Sequence, residues 1–161
     1  MDYNKSEAEV LLLENHLCFP LYACSRETIK LYKPYLSKLD LTYTQYIAML
    51  LLWEYGSMTV KEIGDHLFLD SGTLTPLLKK LEAKGVITRT RSQKDERNLD
   101  VALTDAGRAL QDKALSIPLS MGQYNPLSLE ETVTLYNLLY KMLGREGANR
   151  PDWAFLEDKE G

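Results

Sequence analysis

Thr59–Leu103, TVKEIGDHLFLDSGTLTPLLKKLEAKGVITRTRSQKDERNLDVAL, is the stretch that decides the fold of this 161-residue chain. Thr59 and Glu62 stand at capping-box spacing. In that arrangement the threonine side chain accepts from the amide three residues on, and the glutamate reaches back to the freed amide. A short helix is therefore predicted from Thr59 to about Leu67. After Phe68 and Leu69 the polar trio Asp70, Ser71 and Gly72 opens a second helix, which ends at Lys84 with Gly85 as its left-handed stop. Leu74, Leu77, Leu78 and Leu81 recur at helical spacing and form the stripe expected to face the core. From Val86 to Arg91 and from Asn98 to Leu103 the composition turns to strand, with Leu99, Val101 and Leu103 alternating with polar neighbours. Ser92 to Arg97, between the strands, make a charged hairpin tip.

Helix, tight turn, helix and charged hairpin, in that order, describe a winged helix-turn-helix, a shape that fits one helix into a DNA major groove. At about 100° per residue, the face opposite the leucines carries Gly72, Pro76, Lys79, Lys80 and Ala83, flanked by Thr73 and Thr75. Small, hydroxyl and basic residues approach base edges closely, with threonine and proline carbons meeting thymine methyls and lysines meeting phosphates. The residues expected to contact DNA are Ser71, Gly72, Thr73, Thr75, Pro76, Lys79 and Lys80 on the helix, and Arg89, Arg91, Lys94, Asp95 and Arg97 on the hairpin. Arg97 suits a minor groove, with Asp95 holding its guanidinium; by charge alone the same tip reads as a solvated loop. The ring of Pro76 opposes the carbonyl of Gly72, so an irregular first turn is expected.

An apolar content of 45% is enough for one compact domain with extensions. Met1 to Val10 are polar and acidic, and no apolar run approaches the ~20 residues of a membrane span, so neither export nor membrane insertion is expected. Two cysteines in such a chain point to a reducing cytoplasm and to thiols that are buried or reactive rather than bridged. The net charge of −4 is unevenly spread: residues 71–97 hold seven basic and three acidic side chains, against twelve and twenty elsewhere. A basic patch on an acidic body can meet phosphates, with strongly salt-dependent binding.

Three more capping boxes mark helix starts: Ser6 with Glu9, Thr42 with Gln45, and Ser128 with Glu131. The chain is thus expected to be mainly α with a small β-hairpin wing. Besides the winged unit it should have a long broken helix over 7–38, a helix over 43–54, one from Thr104 to about Ser116, and a last one over 129–145. Leu11, Leu12, Leu13, Val133, Leu135, Leu138, Leu139 and Met142 exceed what a small winged core covers, which implies a homodimer of interleaved terminal helices. The predicted organisation is a dimerisation region at 1–41 and 104–146, a DNA-binding region at 42–103, and a mobile tail at 147–161.

Leu17-Cys18-Phe19, Leu21-Tyr22-Ala23, Tyr32-Lys33-Pro34, Leu41-Thr42-Tyr43 with Gln45-Tyr46, and the run from Leu69 to Lys79 together resemble the MarR family of winged-helix repressors. Within it the chain is most similar to the organic hydroperoxide resistance regulators, over roughly residues 10–118, and Asp95-Glu96-Arg97 matches the family's wing. The resemblance implies a reduced homodimer that represses from a pseudo-palindromic operator in double-stranded DNA. An organic hydroperoxide is then the inducer: it oxidises Cys18, and the repressor leaves DNA. The resemblance also implies that Tyr22, Tyr32 and Tyr43 surround that cysteine.

Cys18 and Tyr22, four apart, share a helix face. Tyr32 lies within ~40° of that face but about 21 Å along the axis, so only an antiparallel partner helix brings it to Cys18. A phenol donating to the sulfur favours thiolate, and Arg26 or nearby amides add to this. Pro20 disfavours helix at Phe19 and implies a bend beside Cys18. Cys24 sits ~9 Å along a regular helix from Cys18 and about 120° around it, too far to bridge it. The C-terminal helices, where two-cysteine relatives carry a resolving thiol, have none, so a one-cysteine fate of the sulfenic acid is expected.

Two other readings stand beside this one. A cysteine between Leu17, Phe19 and Leu21 is also the pattern of a small packed hydrophobe, and the tyrosine-rich cleft then serves a noncovalent phenolic ligand. A thiol peroxidase is the more distant alternative, against which the chain shows no nucleophile–base arrangement and two separated histidines, His16 and His66. No enzyme activity, cofactor or metal site is expected, since no Cys/His cluster has ligand spacing.

Overall fold

A computed structural model describes residues 9–92 and 98–145. They fall into two units divided after Asp112. In the first, 3-10 turns at Glu9–Leu11 and Leu13–Asn15 precede α1 (Cys18–Leu36), which ends in a further 3-10 turn, Ser37–Leu39. Then follow α2 (Tyr43–Tyr55), β1 (Ser57–Thr59), α3 (Val60–Leu67), α4 (Ser71–Ala83), β2 (Ile87–Arg91), β3 (Leu99–Leu103) and α5 (Asp105–Ala114), which crosses the division. The second unit adds α6 (Ser116–Gly122) and α7 (Leu129–Met142).

Local chemistry sets the helix starts. Thr42 Oγ1 accepts from the Gln45 amide at 3.3 Å while the Thr42 amide donates to Gln45 Oε1 at 3.1 Å. Thr59 and Glu62 repeat the pattern at 3.2 and 2.7 Å, and Ser128 and Glu131 at 3.2 and 2.8 Å. Asp70 caps α4 by accepting from the Thr73 amide at 2.8 Å, which lowers its carboxyl below the usual range. At the other end Gly85 takes φ +72° and its amide donates to the Glu82 carbonyl at 2.8 Å.

The core of the first unit gathers Met49 and Leu52 of α2, Ile63 of α3, the α4 leucines 74, 77, 78 and 81, and Ile87 and Val101 of the sheet. The leucine stripe is therefore buried as its spacing demands. The sheet order is β1-β3-β2, all antiparallel, with Val101 opposite both Met58 and Arg89.

Several expectations are corrected. The first long helix does not begin near residue 7: it starts at Cys18, and the break lies at His16–Leu17 rather than at Pro20. Pro20 sits in the first turn, where its missing N–H costs nothing. The helix expected over 104–116 ends at Ala114 and a separate α6 follows, and the last helix stops at Met142. β1 was not anticipated, because three residues are too few to show a strand period and their pairing with β3 is a tertiary contact. α4 runs through Pro76 as one helix. Ser6, the hairpin residues Lys94, Asp95 and Arg97, and the tail 147–161 lie outside the described residues.

Candidate nucleic-acid interface and redox site

Burying the leucines of α4 leaves Ser71, Gly72, Thr73, Pro76, Lys79, Lys80 and Ala83 exposed, with Thr75 half-buried at the edge of the same face. The helix thus presents to solvent the small, hydroxyl and basic set expected to read DNA. Of the two hairpin-strand arginines, Arg91 is exposed. Arg89 is placed differently: its Nη2 and Nε donate to Glu82 Oε2 at 2.6 and 3.0 Å, and its amide donates to Glu82 Oε1 at 3.2 Å. This tie fixes β2 against the last turn of α4 and commits much of the guanidinium to protein. The hydrogen bonds from Arg89 lower the Glu82 carboxyl. A lowered carboxyl keeps its tie at neutral pH and releases it only as pH falls through that depressed value.

Cys18 and the three tyrosines expected around it form two groups. Cys18 is a free thiol in the first turn of α1, exposed. Tyr22, one turn on and 58% exposed, accepts at its hydroxyl from Arg26 Nη1 at 3.2 Å. Tyr32 lies fourteen residues beyond Cys18 on the same uninterrupted helix, ~21 Å from it along the axis. There it meets Tyr43 edge-on, with ring centroids 5.0 Å apart.

Tyr46, which sequence reasoning did not place in this group, completes it at 6.0 Å from Tyr32 and packs on Trp53 at 6.2 Å. Its position three residues after Tyr43 on α2 was the available signal. Burial and the neighbouring phenols push Tyr46 up to about 12, and burial raises Tyr32 and Tyr43, so all three stay protonated donors across the physiological range. Cys24 is also a free, exposed thiol, and the regular run of α1 keeps it ~9 Å along the axis from Cys18. Among the described residues no group of His, Cys, Asp and Glu is arranged to hold a metal ion, and no helix is long and apolar enough to cross a membrane.

The family model described as "Transcriptional regulator SarA/Rot" matches residues 30–114. The organic hydroperoxide resistance transcriptional regulator of Bacillus subtilis (strain 168) is 52% identical over 131 residues, spanning 81% of this chain and 89% of that protein. The chain belongs to the MarR family of winged helix-turn-helix regulators, in its organic hydroperoxide resistance branch. Solved MarR-family structures share its fold. Reduced AbfR bound to DNA is 37% identical, covers 86% of this chain and 96% of its own, and superposes with a TM-score of 0.71. A cysteine-to-serine mutant of MarR from E. coli, complexed with operator DNA, is 27% identical over 79% of this chain and 93% of its own, with a TM-score of 0.69. As a MarR-family member the chain is a transcriptional regulator and not an enzyme.

Proposed function

We propose that this chain is a cytoplasmic, homodimeric repressor that sits on a pseudo-palindromic operator in double-stranded DNA and leaves it when an organic hydroperoxide oxidises Cys18. The observation that carries the reading is the unbroken α1, which holds Cys18 and Tyr22 at one end and the Tyr32–Tyr43 pair at the other. One subunit cannot close a tyrosine pocket around the thiol, whereas an antiparallel second copy of α1 brings Tyr32 and Tyr43 to the partner's sulfur. Exposed Leu11, Leu12, Leu13 and Leu17 before and at that end, and exposed Leu135, Leu138 and Met142 on α7, support segments 1–41 and 104–146 as the dimer-forming region. Residues 42–103 then form the DNA-binding region.

Cys18 occupies the positive end of a 19-residue helix, a favourable place for a reacting anion. Its thiolate attacks the terminal oxygen of the hydroperoxide. An S–O bond forms, the O–O bond breaks, and the alkoxide leaves and takes a proton, giving a sulfenic acid and an alcohol. The altered sulfur no longer accepts from the tyrosines, and the subunits repack. Because half-sites lie roughly 34–36 Å apart, a small rotation moves one α4 out of register.

The test is a fluorescence-anisotropy titration on the chain's own promoter DNA, before and after cumene hydroperoxide or hydrogen peroxide. Release by the organic peroxide at lower dose supports an apolar sensor pocket, and unchanged binding refutes the reading.

Two further outcomes are expected. Lys79→Ala and Lys80→Ala should each flatten the plot of log affinity against log salt by about one unit while weakening all sequences alike; a base-specific loss would move these lysines from phosphate to base contact. Intact-mass analysis after peroxide and a small thiol should show Cys18 capped by that thiol. A Cys18–Cys24 bridge as the main product would defeat the one-cysteine mode.

A further inference from the structure

Lys84 closes the recognition helix, yet its side chain leaves α4 and grips the elbow between α1 and α2. Its Nζ donates to the Asp40 carbonyl oxygen, pairs with Asp40 Oδ2 at 3.1 Å and reaches Gln45 Oε1 at 3.3 Å. An ammonium has three N–H donors, and here three acceptors of one elbow receive them. Asp40 holds the elbow in a left-handed conformation at φ +53°, and the Leu41 amide closes the turn onto the Leu36 carbonyl at 3.0 Å. Gln45 is buried and is also the returning half of the α2 capping box.

The buried tyrosines straddle the same elbow. Tyr32 lies on the closing turns of α1, Tyr43 opens α2, and Tyr46 follows Gln45 directly. The pairing of Lys84 with Asp40 contributes little stability, since the carboxylate is 89% exposed and solvent screens such a pair. What the contact supplies is geometry: it links residues 44 and 39 positions apart and sets where the C-terminal end of α4 sits relative to the tyrosine-bearing helices.

We propose that Lys84 is the positioning residue that couples the tyrosine elbow to the recognition helix, so that rearrangement around the oxidised thiol is delivered to α4 through this clamp. The proposal rests on the peroxide-released repressor reading. With its donors spent on the elbow, Lys84 is not among the side chains assigned to DNA, so replacing it removes the link without removing a reader.

Wild type, Lys84→Met, Lys84→Arg and Asp40→Asn are titrated onto promoter DNA, reduced and after cumene hydroperoxide, with intact mass confirming equal Cys18 oxidation and thermal unfolding confirming the fold. Wild type should show an oxidised-to-reduced Kd ratio of ~5–150, the span of ordinary couplings. In Lys84→Met the reduced Kd stays near wild type while the ratio shrinks roughly 2- to 30-fold. Lys84→Arg, which keeps the charge and donors, recovers it; Asp40→Asn, which keeps the carbonyl and Gln45, falls between.

A Lys84→Met ratio equal to wild type overturns the proposal. So does a folded Lys84→Met that fails to bind when reduced, because the residue then serves binding itself. If Lys84→Met does not fold, Asp40→Asn decides, and a wild-type ratio there overturns it. A wild type that stays on DNA when oxidised removes the repressor reading and the coupling together, and shows itself in the wild-type arm alone.

Discussion

Cys18→Ser is expected to bind operator DNA as tightly as wild type and to remain there at any dose of organic hydroperoxide that empties the wild-type operator. Cys18 lies in the first turn of α1, outside the leucine-rich core that builds the winged unit, and serine is close to it in size and keeps an acceptor for the partner's tyrosines. Exchange of sulfur for oxygen there therefore costs under about 0.5 kcal/mol of stability. Its chemistry changes completely, because a serine hydroxyl supplies no anion at neutral pH to attack the O–O bond. The oxidised-to-reduced Kd ratio should collapse from the wild-type value, ~5–150, to one. Anisotropy titrations with and without cumene hydroperoxide measure it. A partial collapse would assign the remainder to Cys24, the other thiol of the chain. A variant released as readily as wild type would remove Cys18 from the mechanism.

Gly107→Ala is expected to destabilise the winged unit more than loss of any surface contact. A Cβ at position 107 would press into the backbone carbonyl of Val86 and come within 3.2 Å of Leu103 Cδ2. Neither neighbour can retreat easily. The Val86 carbonyl accepts from the Thr104 amide at 3.1 Å, Gly107 donates its own amide to Thr104 Oγ1 at 3.0 Å, and its carbonyl accepts from Trp53 Nε1 at 2.9 Å. The added methyl forces the start of α5 away from the β2 entry and strains all three bonds. Overpacking of this kind costs ~1–3 kcal/mol, more when backbone must move, and at 2–4 °C per kcal/mol for a chain of this size the top of that range lowers Tm by roughly 6–12 °C. Thermal unfolding by circular dichroism checks it. A Tm within about 2 °C of wild type would show that α5 shifts freely and that the close approach is not needed.

The recognition unit was legible because each of its signals is local. A threonine three residues before a glutamate, an aspartate opening a leucine stripe, and a glycine ending it act over one or two turns, and Thr59, Asp70 and Gly85 do what their spacing requires. The turn between α3 and α4 was legible as a place but not as a conformation: Phe68 adopts φ +55°, which a non-glycine side chain accepts only because the packed helices on both sides hold it there. Tyr22, Tyr32 and Tyr43 were pointed to together by the family resemblance, and helical arithmetic already separated Tyr32 from Cys18. What spacing does not carry is that Tyr46 joins the pair, because that depends on how α1 crosses α2.

The capped starts of α2, α3, α4 and α7, the leucine-facing and solvent-facing sides of α4 and the presence of two unpaired thiols were determined by the chain itself, because caps and periodicity are written within a few residues. Tertiary structure alone decided that β1 joins the hairpin, that Arg89 closes on Glu82, and that Lys84 reaches the α1–α2 elbow. A charged side chain reads the same in sequence whether its partner is a phosphate or a carboxylate seven or forty-four residues away, and only the packing of the elements selects which one lies within reach.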